Sequence, residues 1–156
     1  MKLQFTHKLA RIAFKVVKKD ANVPASALKG ISFKADYKEA SLNLISGTLT
    51  KGSQITTDAD KVALSKTLTT AETIGVDGAD NATCGDFSPI IIPETAISEL
   101  KLTINDQELV VSGLSSLEFK EGDITTVTIT VNSKGVEFSA AITDWTSNGT
   151  GTGSVE

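Results

Sequence analysis

Two alternating apolar ladders near the C-terminus constrain the fold of this 156-residue chain more than any other stretch. Val127, Ile129 and Val131 alternate with Thr126, Thr128 and Thr130. After Asn132-Ser133-Lys134-Gly135, a second ladder runs through Val136, Phe138, Ala140 and Ile142. A period of two in β-branched and aromatic residues is what a strand with one buried face requires. The polar link ends in glycine, which takes positive φ without steric cost, so the two ladders read as one long β-hairpin.

The rest of the chain repeats this grammar in shorter units. Ile31, Phe33 and Ala35 alternate with Ser32 and Lys34 in a strand that begins near Leu28. Leu42, Leu44 and Ile45 start another strand, ending near Gly47 or at Lys51-Gly52-Ser53. Val62, Leu64 and Leu68 mark a further one. Pro89-Ile90-Ile91-Ile92-Pro93 is a compact apolar run bracketed by prolines; proline cannot donate to a ladder, so the run reads as a short strand or edge segment. Leu100, Leu102 and Ile104 lead into a turn at Asn105-Asp106-Gln107 and return through Leu109-Val110-Val111 as a second hairpin. Thr69 to Asp86 carries little pattern. Its Gly75, Gly78 and Gly85 among Asp and Asn predict a long loop, with at most a short strand at Ile74–Val76.

Residues 3–19 admit two readings. Leu3, Phe5, His7 and Leu9 alternate in one phase and Ile12, Phe14 and Val16 in the other, as in a strand with a bulge near Leu9-Ala10. Leu9, Ile12, Ala13, Val16 and Val17 also have helical spacing, with Lys8, Arg11, Lys15 and Lys19 opposite. The segment up to Asp20 carries six basic residues against one acid, so the remainder must supply the excess of acid behind the net charge of −4. The simplest reading of those lysines is a solvated face.

About seven to nine short strands with regular turn signals and no clear long helix predict an all-β chain, an antiparallel Greek-key β-sandwich. Residues 1–145 form one domain in this reading, and 146–156 form a flexible Gly/Ser/Thr-rich tail. Aromatics make up only 5% of the residues, so the core must come mainly from Val, Ile, Leu and Ala. The acidic balance argues against nucleic acid as a partner. No run reaches the length of a helical membrane span. Met1-Lys2 leads directly into Leu3-Gln4-Phe5, which fits either a cytosolic protein or a chain that starts inside a longer precursor.

Catalytic chemistry finds little support. His7 is the sole histidine, lies in phase with the apolar ladder and reads as a structural, half-buried residue. Cys84 has only acids beside it in the sequence, which oppose thiolate formation, and one Cys with one His makes no ordinary zinc site. Asp77, Asp80, Asn81 and Asp86 have the oxygens that calcium takes, but not the spacing of an EF-hand loop; turn chemistry explains them as well. The expectation is no catalytic residue, no metal and no cofactor.

Several segments together resemble the fimbrillin-like proteins of Bacteroidetes. Leu3-Gln4-Phe5-Thr6-His7-Lys8-Leu9-Ala10-Arg11-Ile12 is similar to that family's L-x-F-x-H-x-L-A/S-K/R-I/V segment. Ile90-Ile91-Ile92-Pro93-Glu94 matches its I-P-x segment, and Phe119-Lys120-Glu121-Gly122-Asp123 with Ile142-Thr143-Asp144-Trp145 fits its Gly-containing turn and I-x-x-W motif. The resemblance implies a transthyretin-like sandwich and a non-enzymatic subunit of a type V pilus or surface adhesin. It makes the chain a C-terminal domain whose precursor is a lipoprotein of the outer membrane. It also settles residues 3–19 as strand. The implied partners are other pilus subunits, joined by strand addition, with Val136, Phe138, Ala140, Ile142 and Trp145 as the candidate assembly strand. The alternative is a surface sandwich module that binds a glycan or host protein.

Overall fold

The computed structural model describes residues 7–24, 26–76, 81–111, 117–132 and 135–144, the last run through its backbone. Ten strands follow in order: β1 Ala10–Lys18, β2 Ala27–Ala35, β3 Ala40–Leu42, β4 Leu49–Lys51, β5 Val62–Thr73, β6 Ile90–Ile91, β7 Ile97–Ile104, β8 Gln107–Val110, β9 Asp123–Asn132 and β10 Gly135–Asp144. Among the described residues there is no helix. The strands form two four-stranded sheets, β10-β9-β1-β6 and β5-β2-β7-β8, with β3-β4 as a separate hairpin. This is an all-β sandwich.

One core joins the two large sheets. Ile12, Phe14 and Val16 of β1 and Val127, Ile129 and Val131 of β9 belong to the same buried cluster as Leu28, Ile31 and Phe33 of β2 and Leu100, Leu102 and Ile104 of β7. The rings of Phe14 and Phe33, one from each sheet, lie 5.7 Å apart, and Phe87 stacks on Phe14 at 6.0 Å. Tilted and offset aromatic pairs at such distances add to the burial of their area. A chain poor in aromatics therefore places three of its six phenylalanines at the junction of its sheets.

Ala10–Lys18 of the N-terminal segment form a strand that is central rather than peripheral, while Leu3 and Phe5 of the first ladder lie outside the described residues. β9 flanks β1 in parallel from Arg11↔Ile124 to Lys18↔Val131, the one parallel pair among the named strands. Parallel neighbours need a long crossover, and here the residues between them build the other sheet. The anticipated bulge at Leu9-Ala10 is the start of the strand: the chain bends at Leu9 and the ladder then runs without a break. Arg11, Lys15 and Lys18 alternate with the buried positions and are only partly exposed. Arg11 Nε donates to Ser88 Oγ at 2.6 Å and Lys18 Nζ to the Val23 carbonyl at 3.3 Å.

Two phase changes that the sequence shows only faintly are bulges. In β2 burial passes from Leu28 to Gly30 and Ile31, and the register against both β5 and β7 shifts between Leu28 and Gly30. In β7 the buried positions pass from Ile97 to Leu100 through Glu99, whose φ is +51°. The β7–β8 turn is a two-residue one, with Asn105 at φ +50° and Asp106 at φ +63°, residue types that tolerate the left-handed region.

The weakly patterned region differs most from expectation. β5 continues to Thr73, and Ile74 is fully buried. The residues after it line the edge of β1 piecemeal. Lys18 N donates to Gly75 O (2.7 Å), Val16 N to Ala82 O (2.8 Å) and Ile12 N to Pro89 O (3.0 Å). Asp77 and Asp80 lie outside the described residues, as do Trp145 and the tail 146–156.

Candidate assembly surfaces

A sandwich of two open sheets has four edge strands, and each edge either accepts another chain or is guarded against it. β8 is four residues long and β6 only two. β5 is long but bent: two steps along β2, from Leu28 to Gly30, match five along β5, from Glu72 to Thr67. β10 is different. It pairs with β9 in an unbroken antiparallel register over ten residues, from Gly135↔Asn132 to Asp144↔Asp123, and among the described residues it ends its sheet. Gly135 to Asp144 contains neither proline nor lysine.

The structure thus confirms the long hairpin of the two ladders. The register sets Val136, Phe138, Ala140 and Ile142 opposite Val131, Ile129, Val127 and Thr125, all buried positions of β9. Ser139 and Ala141 stand opposite Thr128 and Thr126, which are only half-buried. Trp145 lies outside the described residues. β10 is fully engaged by β9 on one side, so what it can offer a further strand is its outer edge.

The opposite end of the same sheet is closed. β6 pairs with β1 only through Ala10↔Ile91 and Arg11↔Ile90, between Pro89 and Pro93. Beside it an open groove of about 670 Å³ is lined by Leu9, Ala40, Leu42, Leu49, Ile90 and Ile92, with His7, Lys8, Lys38 and Glu39 at its polar positions. His7 is half-buried there, as its phase in the ladder predicts.

The stretch read as one strand from Leu42 through Ile45 is instead a hairpin, β3 and β4, with Asn43 to Thr48 between them. Asn43 Oδ1 accepts the N–H groups of Ile45 (2.9 Å) and Ser46 (3.1 Å), and Gly47, at φ +70°, donates its N–H to the Asn43 carbonyl at 2.8 Å. An Asx-type turn followed by a left-handed glycine outcompetes strand continuation. The apolar pair is carried outward by it: Leu44 is 88% exposed and Ile45 fully so.

Cys84 is buried, and its thiol is pushed up to about 11, first by burial and then by the nearby Glu72 carboxylate. The carboxylate of Glu72 accepts the backbone N–H groups of Thr83 (2.7 Å), Cys84 (3.0 Å) and Gly85. Cys84, Gly85 and Asp86 all have positive φ, so successive amides converge on one anion, and that anion is the chain's own Glu72. Asp86 N and Oδ1 are both engaged with Thr83 Oγ1 at 3.2 Å. Among the described residues no group of three His, Cys, Asp or Glu side chains could hold a metal ion.

The fimbrillin-like family model matches residues 1–145 of the sequence. The chain belongs to the fimbrillin-like family. Its fold is shared with solved structures of low sequence identity. One is a fimbrial protein from Bacteroides vulgatus, with a TM-score of 0.61 at 15% identity over 91% of this chain and 56% of that one. Another is a candidate cell adhesion protein from Bacteroides uniformis, with a TM-score of 0.57 at 21% identity over 91% and 52%. A third, a candidate cell adhesion protein from Bacteroides ovatus, has a TM-score of 0.59 at 18% identity over 91% and 47%. The fimbrillin-like chain described here thus spans about half the length of the structures it matches. No curated protein sequence matches it. No helix among the described residues is long and apolar enough to cross a membrane.

Proposed function

We propose that this chain is a structural, non-enzymatic domain of a bacterial surface fimbria or adhesin, and that it joins other pilus subunits by strand addition at the outer edge of β10. Its place in the fimbrillin-like family supports the structural role and a cell-surface location. The observation that carries the mode of assembly is the contrast among edges: of the four edge strands among the described residues, only β10 is long, in unbroken register and free of proline and lysine. In strand addition, main-chain hydrogen bonds supply affinity along the whole strand, and alternate side chains set the register. A ten-residue edge offers enough length for both. In this reading 1–145 is the folding unit, and 146–156 is a segment that one subunit can lend to the next.

The test is the association state of the purified chain at high concentration, with and without residues 146–156. Chains longer than a pair that disappear on truncation are expected if the tail is the donated strand. Chains longer than a pair that survive truncation assign the donor to another segment. A chain that stays monomeric in both forms, and that takes up no strand from a second fimbrial subunit, contradicts strand addition here.

A further inference from the structure

The β3–β4 hairpin and the groove at its base lie outside the strand-addition reading. From Ala40 to Thr50 there is no charged residue, in a chain that is 22% charged. Charges at exposed apolar segments are the usual guard against association, and here they are missing. The tip is also held rigid. Besides the Asn43 bonds, Asn43 N donates to the Thr48 carbonyl (2.9 Å) and Ser46 Oγ bonds Thr48 Oγ1 (3.0 Å). A preorganised turn loses little entropy when its side chains are buried by a partner. Leu44 and Ile45 are exposed in the chain itself, so the tip does not fill its own groove. The groove, with Leu42, Leu49, Ile90 and Ile92 in its wall, has the apolar chemistry that the tip lacks a partner for.

We propose that the hairpin is a self-association element: the Leu44–Ile45 tip of one copy seats in the Leu42–Leu49–Ile90–Ile92 groove of a second copy, and the exchange is reciprocal. Tip and groove are parts of, or neighbours to, the same hairpin, so a two-fold arrangement satisfies both at once and closes at two copies. The area fits a weak contact. Leu42, Leu44, Ile45 and Ile90 are 44, 88, 100 and 53% exposed. Covering them in both copies removes about 1,000 Å² of apolar surface, at the lower end of specific interfaces. Such a contact forms at high local concentration, as between neighbouring subunits of a fibre or between fibres.

The decisive experiment uses the full chain carrying Ser139→Lys and Ala141→Lys, which removes any contribution of the β10 edge. One batch carries Ile45→Cys, and a second, differently tagged batch carries Ile90→Cys; the two are mixed under mild oxidation. Cys84 is buried with a raised pKa and stays out of the reaction. A tip-to-groove heterodimer in several-fold excess over either homodimer is expected, and adding Ile45→Glu to the groove-cysteine batch should weaken self-association at least ten-fold by sedimentation equilibrium. Leu44→Gln, at another exposed position, should act in the same direction. A statistical mixture of disulfide dimers overturns the proposal, as does a parent that is monomeric at millimolar concentration or an Ile45→Glu variant that associates like its parent. None of these outcomes touches the β10 reading, which is tested with the hairpin intact.

Discussion

The two ends of the sheet β10-β9-β1-β6 solve the same problem in opposite ways. At one end β6 is two residues long, sits between prolines, and shares the flank of β1 with loop backbone at Gly75, Ala82 and Pro89. At the other, β10 runs ten residues in register without proline, lysine or a bulge, its charges being Glu137 and the terminal Asp144. A protein that only needed to avoid aggregation would blunt both ends. Among the described residues the sheet thus has one long end and one short, proline-bracketed end.

The comparison can be sharpened by substitutions that separate centre from edge. The largest effect is expected at Ile129, fully buried on β9: Ile129→Ala should cost about 2–5 kcal/mol in denaturant unfolding. Ile90→Ala, on the half-exposed β6 edge, should cost less than about 1 kcal/mol. Equal losses would mean that Ile90 is held in the core as its neighbour Ile91 is.

The closed end depends on Glu72, whose carboxylate gathers the amides that fix the 81–86 loop beside β1. Glu72→Gln should cost roughly 1–3 kcal/mol, since hydrogen bonds to a charged acceptor are the strong ones. It should also speed amide exchange at Thr83, Cys84 and Gly85 and make the thiol accessible in native buffer. Unchanged exchange would show that the loop is held by burial of Ala82 and Cys84 alone.

A smaller effect concerns pH. The Cys84 thiol rises from an ordinary 9.0 to about 11 in the fold. Between those values the unfolded chain has released a proton that the folded chain retains, so stability falls as pH rises through this window and levels off above it. Below pH 9 the group contributes no slope. Cys84→Ala should remove this part of the alkaline decline, which chemical denaturation at stepped pH will show.

Much of this layout could be read from the residues. The Thr/Val ladder of β9, the apolar alternation of β10 and the Asn105-Asp106 turn are local signals, and each appears where it was expected. What escaped was set by tertiary pairing. β1 reads as strand or helix because its lysines and apolar residues satisfy both periods, with its Phe and β-branched residues leaning to strand; the strand form rests on pairing with Ile124–Val131, more than a hundred residues away. The parallel sense of that pair has no local signature. Residues 74–76 and 81–86 look like loop because their order comes from Glu72 and from pairing to β1, not from alternation. The hairpin tip was within reach: Asn43 and Gly47 are turn formers four residues apart, inside a stretch whose aliphatics suggested a continuing strand.

The most direct test of strand addition at β10 is sedimentation velocity of the full chain, over a range of concentration, against Ser139→Lys/Ala141→Lys. These two positions face half-buried threonines of β9, so lysines there should leave the unfolding midpoint nearly unchanged while guarding the edge. The account predicts concentration-dependent chains of subunits for the native sequence, and for the variant no species beyond the hairpin-mediated pair. Equal polymerisation of both proteins would contradict it and place the assembly surface elsewhere.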